Sequence, residues 1–254
     1  MRTFAIVPVK NEWELTRALL WQLDAEAMAG HIDDVLVLDN GSADYTSIGI
    51  RRMKGYAAKP ESNDLAYPLR RLRPYLHQTH KPHLTIYEMW NHGFARAERI
   101  AKREPFNVLV LNNDISLLPG WAAALVAPLR SGNIWATYPD VNAAWGSTSA
   151  GSLTLTSGVF GDGGMFGPCF ALAGEVLPWR PLITDLGYRW WYGDNHLAEC
   201  IEQEGGKQAR VDDLPIRHEN EGTARHYDLD EQKWQDRNHW LNRSLRAPRA
   251  IDRR

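Results

Sequence analysis

Val108-Leu109-Val110-Leu111-Asn112-Asn113-Asp114-Ile115, followed by Leu117, Leu118, Pro119, Gly120 and Trp121, is the stretch on which the fold turns. Its short apolar run, bounded by polar residues, reads as a buried strand. The polar triplet has two readings. Asn and Asp populate turns for local reasons, so the triplet can simply end the strand. A carboxylate at the mouth of a buried strand also suits a divalent cation that holds a diphosphate, because the strand fixes the ligand and the loop leaves coordination positions open.

Outward from this stretch, which spans Val108 to Asn112 as a strand, further β-type runs cover Phe4 to Val9, Val35 to Asp39, Leu84 to Tyr87 and Ile134 to Tyr138. Helical spacing covers Glu12 to Ala29, Asn91 to Arg103 and Trp121 to Arg130. Continuous apolar strands separated by helices predict a mostly parallel sheet covered on both faces, an α/β three-layer architecture. Ligands in such sheets bind beyond the carboxyl ends of the strands. The residues expected there are Lys10-Asn11-Glu12, Asp39-Asn40-Gly41-Ser42, Trp90-Asn91-His92-Gly93 and Asn112-Asn113-Asp114, a concentration of polar groups that marks a nucleotide site. No Gly-x-Gly-x-x-Gly turn and no Gly-Lys-Ser/Thr loop accompanies them, which argues against a dinucleotide or P-loop site. Residues 51 to 82 read as a helix plus a mobile excursion. The Gly-, Ser- and Thr-rich stretch from 140 to 167 reads as a lid or acceptor-facing hairpin.

With 254 residues, 44% of them hydrophobic, the chain can bury the core of one large α/β domain. A net charge of −2 supplies no global attraction to nucleic acid or anionic membrane. The one basic cluster, Arg243, Arg246, Arg249, Arg253 and Arg254, reads as a solvated tail. The expected organisation is a single domain over residues 1–240, with a nucleotide-binding half over 1–130, an acceptor and catalytic half over 131–240, and an Arg-rich tail over 241–254. Cys169 and Cys200 lack zinc or redox spacing. No basic leader precedes Phe4-Ala5-Ile6-Val7, and no run reaches the roughly 18 apolar residues of a membrane span. The expectation is a cytoplasmic protein without a transmembrane segment.

Four motifs in order resemble the family-two glycosyltransferases, inverting enzymes with the GT-A fold. Val7-Pro8-Val9-Lys10-Asn11-Glu12 is similar to that family's opening strand and turn, and Val35-Leu36-Val37-Leu38-Asp39-Asn40-Gly41-Ser42 to its second strand. Asn91-His92-Gly93 is similar to its Asn-x-Gly helix start, and Asn112-Asn113-Asp114 with Pro119-Gly120-Trp121 to its metal-binding triplet. The resemblance runs from residue 4 to about residue 225. It implies that Pro8, Asn11, Glu12, Asp39, Asn91, Asn112 and Asn113 surround a nucleoside diphosphate sugar, with a UDP-sugar favoured and Asp39 on the nucleoside. It also implies that Asp114 binds Mn²⁺ or Mg²⁺.

Trp190-Trp191-Tyr192-Gly193-Asp194-Asn195-His196, ahead of Gly205-Gly206-Lys207, resembles the stretch that carries an acidic pair at a helix start. Asp194 then falls on the general base, and Gly193 stands where the first acid usually is. In the other register Asp194 is that first acid and Asn195 the counterpart of the base. A helix N-cap is the structural alternative for Asp194, and capping would lower its pKa where a base needs basicity. His218 is similar to the late family His followed by a small-residue turn that closes over the diphosphate, which implies that it grips the metal together with Asp114. Gly164, Trp191 and Tyr192 are the expected acceptor-binding residues.

Together these residues predict a metal-dependent inverting transfer of a sugar to an acceptor hydroxyl. Two other readings stay open, a nucleotidyltransferase of similar fold and a degenerate sugar- or nucleic-acid-binding module. The sequence leaves the acceptor open among glycan, lipid-linked sugar, protein and modified DNA, the last hinted at only by the Arg-rich tail.

Overall fold

The computed structural model describes residues 1–53, 69–72, 74–78, 84–146, 152–156, 167–174, 192–219 and 230–243. Strand β1 (Arg2–Val9) leads into helix α1 (Trp13–Met28), then β2 (Asp34–Asp39), α2 (Thr46–Met53), β3 (Tyr75–Gln78), α3 (Ile86–Ala101) and β4 (Phe106–Leu111). The second half adds β5 (Ile115–Leu117), α4 (Trp121–Val126), β6 (Ile134–Asp140), β7 (Leu153–Thr156), β8 (Cys169–Ala173), α5 (Gly193–Gln203), β9 (Lys207–His218) and α6 (Asp230–Arg243).

The sheet order is β3-β2-β1-β4-β8-β6-β9-β5, with β7 also paired to β9. The four strands β3, β2, β1 and β4 are all parallel, as expected of strands joined by helices. β8 joins this block antiparallel to β4 and to β6, while β6 and β9 pair in parallel. Period-two alternation sorts the side chains to two faces. Ala5, Val7, Val9, Val35, Val37, Leu109 and Leu111 pack with Leu19, Leu20 and Leu23 of α1 and Trp121 and Leu125 of α4. Phe4, Ile6, Leu36, Leu38, Val108 and Val110 pack on the other face with Trp90 and Phe94 of α3 and Leu197 and Ile201 of α5. This is the three-layer α/β architecture expected from the sequence.

Two expectations around residue 87 are corrected. Leu84 to Tyr87 is not a strand. Thr85 caps α3, its Oγ1 accepting from Glu88 N at 3.2 Å while its own N–H donates to Glu88 Oε2 at 2.6 Å. This reciprocal capping box starts a helix where the apolar run alone looked extended. The place beside β2 is taken by β3. Asn91-His92-Gly93 therefore lies inside α3 and not at a helix start or strand end.

Gly93 has a packing role there, since a Cβ on it would lie 2.5 Å from Ile6 Cγ2 of β1. The glycine lets α3 settle against the central strand. Gly93→Ala is expected to destabilise the fold by about 1–3 kcal/mol through overpacking, read as a lowered midpoint in urea denaturation with an unchanged slope.

Candidate active site

The carboxyl ends of β1, β2 and β4 lie side by side, because these strands are parallel neighbours. At β1 the chain turns through Asn11 and Glu12, both in the left-handed region with φ of 57° and 59°. Such conformations in non-glycine residues cost energy and collect at functional sites. Asn11 is tied to the β2 loop twice: its N–H donates to Ser42 Oγ at 2.7 Å, and its Oδ1 accepts from Ala43 N at 2.8 Å. Lys10 Nζ donates to the carbonyls of Asn40 and Gly41 at 2.9 and 2.7 Å. Between the two loops opens a shallow cleft of about 500 Å³ lined by Asn11, Glu12, Trp13, Glu14, Ala43 and Asp44. Pro8 lies one residue inside the end of β1, buried and in register with Leu38.

Asp39 does not face that cleft. It is fully buried, and its carboxylate accepts from Ser42 N at 2.8 Å, from Ser42 Oγ at 2.6 Å and from Ser47 Oγ. In this structure the Asp39 carboxylate has an internal role: it folds the β2 loop and ties it to the first turn of α2. Asn40 is equally inward. Its side chain donates from Nδ2 to Leu84 O at 2.9 Å and accepts at Oδ1 from Leu84 N at 3.1 Å, which fixes the approach to α3.

At the end of β4 the three residues of the triplet take different directions. Asn112 N donates to Pro168 O at 2.8 Å, linking β4 to the entry of β8. Asn113 is 2% exposed, and its Nδ2 donates to Thr16 Oγ1 of α1 at 3.0 Å. Its amide nitrogen is thus directed into the core. Asp114 lies beside His218, with Oδ1 3.2 Å from Nε2. The cause is β-pairing: β5 runs antiparallel to β9 with Ile115 opposite His218, and Glu219 N donates to Asp114 O at 2.8 Å.

One carboxylate oxygen and one imidazole nitrogen can both be ligands of a divalent cation; the carboxylate suits Mn²⁺ or Mg²⁺, whereas the imidazole suits a transition ion and is a poor ligand for Mg²⁺. Two ligands about 2.1 Å from an octahedral ion and at right angles to each other are about 3.0 Å apart, close to the observed separation. The pair fits a divalent cation. Among the described residues, no group of three or more His, Cys, Asp or Glu side chains is placed to hold one, so further ligands would come from the substrate or from water.

Asp194 occupies the first turn of α5, after Tyr192, which takes φ 66° at the helix N-cap. It is not the cap itself. The neighbouring backbone N–H groups of Asn195, Asp194 and Gly167 favour its charged form. Those groups lower its pKa, yet desolvation of the carboxyl end of this partly exposed residue outweighs them and pushes it up to about 6. The sequence-level conflict between capping and basicity is resolved by the packing around the carboxyl group. A Cβ on Gly167 would lie 2.5 Å from Asp194 Oδ2, so that glycine allows the close approach. Gly167 also adjoins Pro168, the acceptor of Asn112 N. Gly167 and Pro168 thus connect the Asp194 carboxylate to Asn112, two residues from Asp114.

Tyr192 is half-buried and packs against the α3–α5 core. Asn91 lies half-buried within α3. Gly164 and Trp191 fall outside the described residues. Tyr87 is the site residue that the sequence reading missed: its hydroxyl accepts from Gly193 N at 2.9 Å. The signal was present in the Thr85-x-x-Glu88 capping pattern, which turns the Leu84 to Tyr87 run into a helix pointed at α5.

No protein-family model and no curated protein matches the sequence. Solved structures do match. The mannosyltransferase PcManGT of Pyrobaculum calidifontis, solved with GDP-Man and Mn²⁺, superposes with a TM-score of 0.64 at 18% identity, over 97% of this chain and 65% of its own. Glucosyl-3-phosphoglycerate synthase of Mycobacterium tuberculosis, solved with Mn²⁺, UDP and phosphoglyceric acid, gives 0.58 at 16% identity, over 98% of this chain and 80% of its own. GalNAc-T7, solved with UDP, GalNAc and Mn²⁺, gives 0.61 at 15% identity over 86% and 44%. The fold is that of the GT-A glycosyltransferases. The chain spans just under two thirds of the mannosyltransferase's length. No helix among the described residues is long and apolar enough to cross a membrane.

The buried role of Asp39 has a measurable consequence. Asp39→Ala is expected to lower the unfolding free energy by about 1–3 kcal/mol, because Ser42 and Ser47 lose their buried acceptor. An unchanged denaturation midpoint with weakened nucleotide binding would return Asp39 to the ligand.

Proposed function

We propose that the protein is a metal-dependent inverting glycosyltransferase that moves a sugar from a nucleoside diphosphate sugar to an acceptor hydroxyl. The observation that carries this reading is Asp114 beside His218 at the sheet rim; Asp194 at the start of α5, its pKa pushed up to about 6, supports it. Support for the donor class comes from the solved relatives, which hold GDP-Man, UDP or UDP with GalNAc. A UDP-sugar is the donor favoured by the sequence resemblance.

In this reading Asn11, Glu12 and Asp44, which line the β1–β2 cleft, contact the nucleoside in place of Asp39. Asp114 and His218 would hold Mn²⁺ or Mg²⁺ against the diphosphate, where the ion neutralises charge on the leaving group. Asp194 takes the proton of the acceptor hydroxyl. As that proton leaves, the acceptor oxygen forms a bond to the anomeric carbon, and the carbon–oxygen bond to the diphosphate breaks on the opposite face. One in-line displacement inverts the anomeric centre.

A base with a pKa near 6 is largely ionised at neutral pH while remaining basic enough to share a proton in the transition state. Stability runs the other way. Because burial raises the folded-state pKa of Asp194, its contribution to stability is present below the ordinary carboxylate value and is lost as pH rises through about 6. The site works in the charge state that the fold favours less.

Asp194→Asn is expected to lower transfer by about 10²- to 10⁴-fold while donor binding stays intact, and the wild-type pH–rate profile should lose activity below about 6. Near-full turnover by this variant would remove the base assignment. For the metal, Asp114→Ala and His218→Ala should each weaken Mn²⁺ binding by at least about tenfold, or about 1.4 kcal/mol, in titration calorimetry with nucleoside diphosphate present. Unchanged Mn²⁺ affinity in both variants would leave the triplet as a turn.

A further inference from the structure

The position that carries an acid in the resembled family is Gly193 here, and the structure supplies the reason. A Cβ on Gly193 would collide with the ring of Tyr87, whose hydroxyl accepts the Gly193 N–H at 2.9 Å. Tyr87 is 3% exposed and its ring is fixed from behind: Trp90 packs edge-on at 5.0 Å, and Phe170 of β8 packs edge-on against Trp90 at 5.1 Å. Asp194 therefore follows a glycine that cannot carry a side chain. A Cβ on Gly167, the other glycine in close contact with it, would meet the Asp194 carboxylate itself at 2.5 Å and displace it.

Tyr87 is in turn placed by the β2 loop. The Asn40 side chain clamps both backbone groups of Leu84, Thr85 caps α3, and Tyr87 lies in the first turn that follows. Helix N-termini leave backbone N–H groups without intrahelical partners, and α5 has no side-chain cap at Tyr192. The phenol oxygen satisfies one of these groups from a different element. A hydrogen bond between two elements fixes their relative position, which a local cap does not.

We propose that Tyr87 is the positioning residue for Asp194, anchoring the first turn of α5 through Gly193 N and, by way of Asn40 and Leu84, tying that turn to the loop at the donor end of β2. The inference rests on the proposed function for its kinetic consequence but not for its geometry. Tyr87→Phe keeps the ring and removes only the acceptor oxygen. The buried Gly193 N–H is left unsatisfied, the first turn of α5 loosens, and the carboxyl group loses its fixed relation to Gly167. A displacement of about 1 Å at a reacting group can cost about 100-fold in rate.

The test compares wild type, Tyr87→Phe and Gly193→Ala, each with a thermal melt. The expected result is a fall in kcat of roughly 10- to 100-fold, with the donor KM within about twofold. The acid limb of the pH profile should move down, as water reaches the Asp194 carboxyl. Gly193→Ala, which pushes the same turn from the other side, should show the same split. Carbon-13 NMR titration of Asp194 in Tyr87→Phe supplies a readout independent of turnover, and its midpoint should fall toward the ordinary carboxylate range. Unchanged kcat in both variants together with an unchanged Asp194 titration would overturn the proposal. If Asp194→Asn remains active but the Asp194 midpoint still falls in Tyr87→Phe, the base assignment fails and the positioning role stands.

Discussion

The antiparallel pairing of β9 with β5 is the constraint from which the metal-binding candidate follows. β9 is the longest strand, and it is held by β6 on one side and by β7 and β5 along its length. Its register places His218 opposite Ile115, so the imidazole arrives beside the carboxylate that β4 has already carried to the rim. Asp114 is fixed by the parallel half of the sheet and His218 by the mixed half. Their 3.2 Å separation is a property of how the two halves join. The β5–β9 ladder, closed by the bond from Glu219 N to Asp114 O, sets that separation directly.

Polar residues at the strand ends divide into those that build the rim and those that face outward from it. Asp39, Asn40 and Asn113 are buried and directed at partners inside the protein: Ser42 and Ser47, the Leu84 backbone, and Thr16. A buried carboxylate or amide with its hydrogen bonds made is a structural part, because removing a partner leaves a desolvated group unsatisfied. Asn11, Glu12 and Asp44 instead border an open cleft. The strained left-handed turn at Asn11 and Glu12 is held in place by Ser42 and Ala43, so the inner set fixes the geometry of the outer one.

Asp194 illustrates the same division within one side chain. Backbone N–H groups from α5 and from Gly167 favour its charged form, while the surrounding protein disfavours it more strongly. Such a balance lets a carboxylate act as a base near neutral pH. Close packing also explains the glycines. Gly193 admits the Tyr87 ring, with which a single methyl group would collide, and Gly167 lets the Asp194 carboxylate approach.

The apolar runs in Phe4 to Val9, Val35 to Asp39 and Val108 to Leu111, separated by helical segments, were enough to determine a layered α/β fold. Local periodicity decides which side chains can be buried together, and these strands are buried on both faces. The resemblance of short motifs also singled out Asp114, His218 and Asp194 before their surroundings were visible. Leu84 to Tyr87 was misread because an apolar run of four has no period long enough to separate strand from helix, and the deciding bond is the Thr85–Glu88 cap. β8 and β9 were not anticipated as strands, since their pairing partners lie far away in sequence. Only the tertiary structure decided that Asp39 faces inward, that desolvation raises the Asp194 pKa, and that Tyr87 fills the space above Gly193. Hydrogen-bond partners and desolvation depend on what other segments bring to a residue, and no local stretch of sequence encodes that.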